Sequence, residues 1–134
     1  MKTIRKVALP ALLAVSFFAA CSKDNDEAPV TGKCFADKIS LTHTSTTDAA
    51  SQHTVLLTFD AKNTSSEGYD IGKGHSAIYV KLSVTTTDNK VYTDEGPLTA
   101  TSLDAGATAS VSLMADYGAG NTFKSYKVEQ IYCK

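Results

Sequence analysis

From Cys34 onward, apolar residues recur at every second position in run after run, and this period restricts the fold more than any other feature of the chain. Successive side chains of an extended strand point to opposite faces, so a two-residue repeat buries one face and leaves the other in water. Val55, Leu57, Phe59 and Ala61 alternate with Thr54, Thr58, Asp60 and Lys62. Leu56 breaks the outward series, which implies that part of that face is covered too. Ile78, Val80, Leu82 and Val84 alternate with Tyr79, Lys81, Ser83 and Thr85 in the clearest run of all. Leu103, Ala105, Ala107, Ala109, Val111, Leu113 and Ala115 keep the same period. Alanine favours helix, but the spacing is wrong for one and Gly106 interrupts it, so residues 107 to 115 are predicted as a strand.

Turn chemistry separates the runs. Phe35, Ile39 and Leu41 are predicted to share one face of a first strand. Thr42 to Gln52, rich in Thr, Ser and Ala, is expected as a loop. Asn63 to Gly68 is a turn, Tyr69 and Ile71 are a short apolar pair, and Gly72 to His75 is a flexible loop. Thr87 to Lys90 turns the chain into Val91-Tyr92-Thr93 as a hairpin. Asp94 to Thr101, with Gly96-Pro97, is expected as a loop, and so is Asp116 to Asn121. The last strand spans Thr122 to Cys133 with mixed faces. Tyr126, Val128 and Tyr132 fall on one, Phe123, Ile131 and Cys133 on the other, and a bulge near Glu129 reconciles them. Nothing after residue 34 repeats at 3.6. Six or seven short strands in about 100 residues predict an all-β domain, an antiparallel β-sandwich or alternatively a small closed barrel.

Residues 1 to 32 have a different character. Met1 to Lys6 is basic, and Val7 to Ala20 is apolar and uncharged. That stretch is shorter than the ~20 residues a spanning helix needs and contains Pro10, but it suits the apolar region of a secretory signal. It ends Phe18-Ala19-Ala20-Cys21, which resembles a bacterial lipobox. The resemblance implies cleavage before Cys21 and lipid on its thiol. This divides the chain into a signal (1–20), a lipidated tether (21–32) and a β domain (33–134). The run Ser22-Lys23-Asp24-Asn25-Asp26-Glu27 resembles the acidic export signal of Bacteroidetes surface lipoproteins. It implies display on the outer face of the outer membrane, with the periplasmic face as the alternative; as a bare polymer it is also a solvated tether.

The run Val55 to Ser65, the strand from Ile78 to Val84, the hairpin Asp88-Asn89-Lys90-Val91-Tyr92 and the turn Leu103-Asp104-Ala105-Gly106 together resemble the immunoglobulin-like domains of exported bacterial lipoproteins, such as the FxLYD and telomeric-repeat-binding-factor-like groups. The likeness implies a fold and carries no site residues.

Three cysteines follow from this division. Cys21 takes lipid. Cys34 and Cys133 lie at the two ends of the domain in an oxidising compartment, and they are expected to pair, two free buried thiols being the alternative. The pairing conflicts with the simplest immunoglobulin arrangement. If the first and last strands ran parallel, the two cysteines would sit at opposite ends, whereas a disulfide needs Cα atoms within about 7 Å. Either those strands run antiparallel or Cys34 lies on a lead-in segment that folds back.

Removing residues 1 to 20 takes away Lys2, Arg5 and Lys6, leaving ten Lys and no Arg against fourteen acids, a formal charge of −4. A mildly acidic domain without Arg is unsuited to nucleic acid. It also lacks Trp, so any stacking on sugar rings would fall to tyrosine. His43, His53 and His75 lie in or beside polar segments with no metal-ligand spacing, so no metal is expected. Gly74-His75-Ser76 is not a nucleophile elbow, and Gly72-Lys73-Gly74 lacks the spacing of a phosphate loop. Asn63-Thr64-Ser65 matches a glycosylation sequon that a strand-ending turn explains. No catalytic residue and no cofactor are predicted. Among six tyrosines, Tyr79 falls opposite its strand's apolar face, where it is either a recognition residue or one favoured by sheet propensity. The expectation is a lipid-anchored, non-catalytic envelope module for a protein or glycan partner. The alternative is an inhibitor or immunity-type lipoprotein that blocks an exogenous enzyme such as lysozyme, using a loop such as Gly68 to Ser76.

Overall fold

The computed structural model describes residues Gly32 to Lys134; Cys21, the signal and the acidic run lie outside the described residues. Eight strands occur in this part: β1 (Ile39–Ala49), β2 (Thr54–Asn63), β3 (Tyr69–Asp70), β4 (Ile78–Thr86), β5 (Val91–Pro97), β6 (Ser102–Leu103), β7 (Thr108–Asp116) and β8 (Phe123–Cys133). One sheet has the order β1-β2-β7 and the other β5-β4-β8, while the two-residue strands β3 and β6 pair as a separate ribbon. Every pairing is antiparallel and neither sheet closes into a barrel. The chain crosses between the sheets from β2 to β4, from β5 to β7 and from β7 to β8, in the manner of an immunoglobulin-like sandwich.

The alternation sets which faces meet. Val55, Leu57, Phe59 and Ala61 of β2, with Val111, Leu113 and Ala115 of β7, are buried against Ile78, Val80, Leu82 and Val84 of β4 in one cluster. Each fully buried large aliphatic side chain contributes on the order of 1.5–3 kcal/mol. Tyr69 and Tyr117 are also buried and close the core at its two ends.

Three predicted loops are ordered differently. Thr42 to Ala49 is not a loop but the far half of β1, paired with β2 as far as Ala49 opposite Thr54, with Thr44 the extra residue of a bulge. Thr42 to Asp48 are exposed on both faces, so no buried face existed to write a period into the sequence. Asp94 to Pro97 belongs to β5, an edge strand where Pro97 is tolerated. Gly72 and Lys73 lie in a 3-10 turn (Ile71–Lys73) capped by the Asp70 carboxylate, which accepts from Gly72 N at 2.8 Å. Phe35 is not on β1: it precedes a 3-10 turn (Ala36–Lys38) and is buried from there. Leu56 is uncovered, 39% exposed opposite Met114 at 63%.

Of two bulges in β8, one falls where the mixed faces placed it, and a second, at Lys124, lets Phe123 pack on the core. Lys81 pairs with Gln130 and Leu82 with Val128, so Glu129 is the extra residue. The cysteine conflict resolves through the lead-in. Cys34 precedes β1, and its disulfide to Cys133 has a Cα–Cα distance of 5.8 Å. Backbone bonds from Ser76 N to Lys33 O (3.2 Å) and from Lys134 N to Ala77 O (3.0 Å) hold both partners beside the start of β4. Gly32 is tied to the domain as well, donating to Ser76 Oγ and accepting from it.

At the end of β2, Asn63 is fully buried. Its Nδ2 donates to the carbonyls of Glu67, Leu103 and Asp104 at 2.7, 3.0 and 3.3 Å, and its Oδ1 accepts from Ser65 N and Ser65 Oγ.

The disulfide closes a sequence separation of 99 residues, and a loop of that length restricts the unfolded chain by about 4–5 kcal/mol in the chain-entropy account. Replacing Cys34 and Cys133 together by Ser is expected to lower unfolding stability in urea by roughly 4 kcal/mol. Equal urea midpoints for the parent and the double variant would contradict this.

Candidate functional site

The bulge at Glu129 has a consequence on the outer face of the β5-β4-β8 sheet. Before it, Tyr126 and Val128 pair with Val84 and Leu82 of the core; after it, Ile131 and Cys133 pair with Val80 and Ile78. Tyr132 is thereby turned outward, directly opposite Tyr79. Both are half-buried. Their ring centroids are 6.0 Å apart with planes inclined at 39°. Lys134 Nζ stands 4.8 Å from the Tyr79 centroid and 5.4 Å from that of Tyr132, an arrangement that ring quadrupoles favour. Glu95 of β5 completes the group, accepting from Lys134 Nζ and from the Tyr132 hydroxyl.

These contacts set the local charge. The Lys134 ammonium, then the Tyr132 hydroxyl, hold the Glu95 carboxyl below the usual carboxylate range. Glu95, then Tyr132, raise Lys134 above the ordinary lysine value. Partial burial, then the Glu95 hydrogen bond, push the Tyr132 hydroxyl up. Farther along the same face, Glu129 accepts from Ser83 Oγ and from Lys127 Nζ, each at 2.6 Å. The face therefore carries two aromatic rings among paired, opposite charges. Among the other tyrosines, Tyr69 and Tyr117 are buried, while Tyr92 and Tyr126 are half-buried and pack on the core.

The remaining candidates are dispersed. His43 on β1 lies over Phe59 and Tyr126, with ring centroids 5.7 and 5.3 Å away, and its Nε2 meets Thr46 Oγ1 at 2.9 Å. His53 follows the 3-10 turn Ala50–Gln52 in a left-handed conformation, φ 56°. His75 packs against Phe35 at 4.6 Å, and its Nδ1 accepts from Asp70 N at 2.9 Å. No group of three or more His, Cys, Asp or Glu among the described residues can hold a metal ion. The Gly68 to Ser76 segment is held to the body by the pairing of β3 with β6 and by buried Tyr69. The carboxamide of the Asn63-Thr64-Ser65 sequon is committed to its internal network.

At the far end of β1 one tyrosine adds a side-chain tie to the backbone pairing with β2. Tyr117 is fully buried, its hydroxyl donates to Asp48 Oδ1 at 2.6 Å, and its amide donates to His53 O at 2.9 Å. Beside it Gly118, φ 78°, lies under the Tyr92 ring, where an added Cβ would come within 2.9 Å. The Asp48 hydrogen bond first, then burial, push the Tyr117 hydroxyl up to about 12. A raised value in the folded state means that the contribution is complete below about pH 10, the unfolded value, and is lost as pH rises through about 12. Tyr117 is therefore expected to ionise well above an ordinary tyrosine, and Asp48→Asn to bring its titration back toward the ordinary value. An NMR titration of the tyrosine rings checks both, and a Tyr117 midpoint indifferent to Asp48→Asn would overturn the assignment.

No protein-family model, curated protein or solved structure matches this chain.

Proposed function

We propose that the chain is a lipid-anchored lipoprotein of the bacterial outer membrane, displayed on the cell surface, whose sandwich is a non-catalytic binding module. The anchoring half of this reading rests on Phe18-Ala19-Ala20-Cys21 and the acidic run that follows. The binding half rests on one observation: the bulge at Glu129 brings Tyr132 beside Tyr79 on a solvent-facing sheet. Two tyrosines side by side supply large, stiff contact area at low entropic cost, with hydroxyls for a partner's polar groups, and such residues dominate binding energy at protein interfaces. The flanking charges are paired, which suits a protein or glycan surface of no strong net charge.

The two halves are tested separately. Cys21→Ala is expected to move the chain from the membrane fraction to the soluble fraction on detergent partitioning, and an unchanged distribution would end the lipoprotein reading. For binding, the full chain is compared with a Tyr79→Ala, Tyr132→Ala variant for retention of outer-membrane components. A hot-spot pair is worth about 2 kcal/mol or more, so retention is expected to fall by roughly 30-fold with the melting temperature little changed. Equal retention by the variant would remove the tyrosine face from the account.

A further inference from the structure

A concave site lies at the end of the sandwich where the lead-in enters. It is a cleft of about 430 Å³ between the segment from Lys33 to Lys38 and the turn from Thr64 to Glu67, within the roughly 300–1,000 Å³ typical of small-molecule sites. We propose that this cleft binds an uncharged saccharide unit, independently of the tyrosine face.

The walls are fixed before any ligand arrives. On one side, the Cys34–Cys133 bond secures the lead-in. On the other, buried Asn63 holds Ser65 through its backbone N–H and its hydroxyl. The two sides are joined where the Thr64 amide and hydroxyl both donate to Lys38 O, at 2.8 and 2.9 Å. A site assembled in advance spends little binding free energy on ordering itself.

The lining selects the ligand class. Lys33 contacts Glu67, and Lys38 Nζ lies 2.7 Å from Asp37 Oδ2. These ammonium groups hold both carboxyls below the usual carboxylate range, and each pair balances one positive against one negative charge. An anion would have to displace a carboxylate from its lysine, and a cation would have to displace the lysine. A sugar hydroxyl donates and accepts at once. It can bridge an ammonium and its carboxylate while the charge balance is kept. Ser65 and Ser66 add polar atoms to the lining, while Phe35, which also borders it, is buried.

The test is an amide NMR titration of the full chain with glucose, galactose and N-acetylglucosamine, with sodium phosphate and choline chloride as charged controls. At least one sugar is expected to shift Lys33, Ser65 and Ser66 with a dissociation constant of about 1–10 mM, typical of a small polar ligand in an open cleft. Glu67→Gln and Asp37→Asn are each expected to weaken that binding roughly tenfold, the effect of losing one charge-assisted hydrogen bond. Their melting temperatures should stay near the parent's, because exposed ion pairs contribute little to stability. Tyr79→Ala should leave the sugar titration unchanged, which separates this site from the tyrosine face. The proposal is overturned by an absence of shifts up to about 100 mM sugar, by shifts at these residues with phosphate or choline alone, or by sugar affinity indifferent to both carboxylate substitutions.

Discussion

The buried carboxamide of Asn63 is the constraint on which one end of this molecule depends. β2 must leave its sheet there, and the chain must turn before crossing to the opposite sheet. Backbone carbonyls at such a crossing lose their ladder partners, and an unpaired buried carbonyl costs about 1–3 kcal/mol. Asn63 Nδ2 serves three of them, on Glu67, Leu103 and Asp104, and so joins the turn after β2 to β6. Its Oδ1 shapes the turn through Ser65. The disulfide works at the same end from the other direction, fastening the lead-in to the last strand.

How far the sequence discloses this fold depends on burial. β2, β4 and β7 each bury one full face, so their alternation is strong and their core residues are legible one by one. The bulge at Glu129 is legible too, because β8 keeps enough apolar residues on each side of it for the change of parity to show. The far half of β1 is illegible for the opposite reason: its residues are exposed on both faces, and the strand exists through backbone pairing to β2. Phe35 misleads because an apolar residue at the right spacing was buried from a 3-10 turn instead of a strand. β3 and β6 are two residues each, too short to carry any period.

The candidate sites divide along the same line. The outward position of Tyr79 follows from its own strand's alternation, but the pair with Tyr132 needs the register between β4 and β8, which no local pattern contains. The cleft between the lead-in and the Thr64 to Glu67 turn is assembled from segments brought together by a disulfide and by Asn63, and its residues are unremarkable in sequence. The disulfide itself is foreseeable once the lipobox resemblance sets Cys21 aside and leaves two cysteines at the ends of the domain. Its geometry is one of the two arrangements the cysteine positions leave open: the lead-in that carries Cys34 is held by contacts to Ser76 rather than by any strand.

Asn63 organises this end of the sandwich through its carboxamide. Asn63→Asp keeps the shape but sets a carboxylate in place of the donors to three carbonyls, so unfolding the full chain in urea reads the loss of those donors together with the cost of the buried charge. The expected result is a loss of about 3 kcal/mol or more, with amide exchange accelerated first in the Thr64 to Gly68 turn and at Leu103. A change within about 0.5 kcal/mol, the range of an ordinary surface substitution, would contradict it.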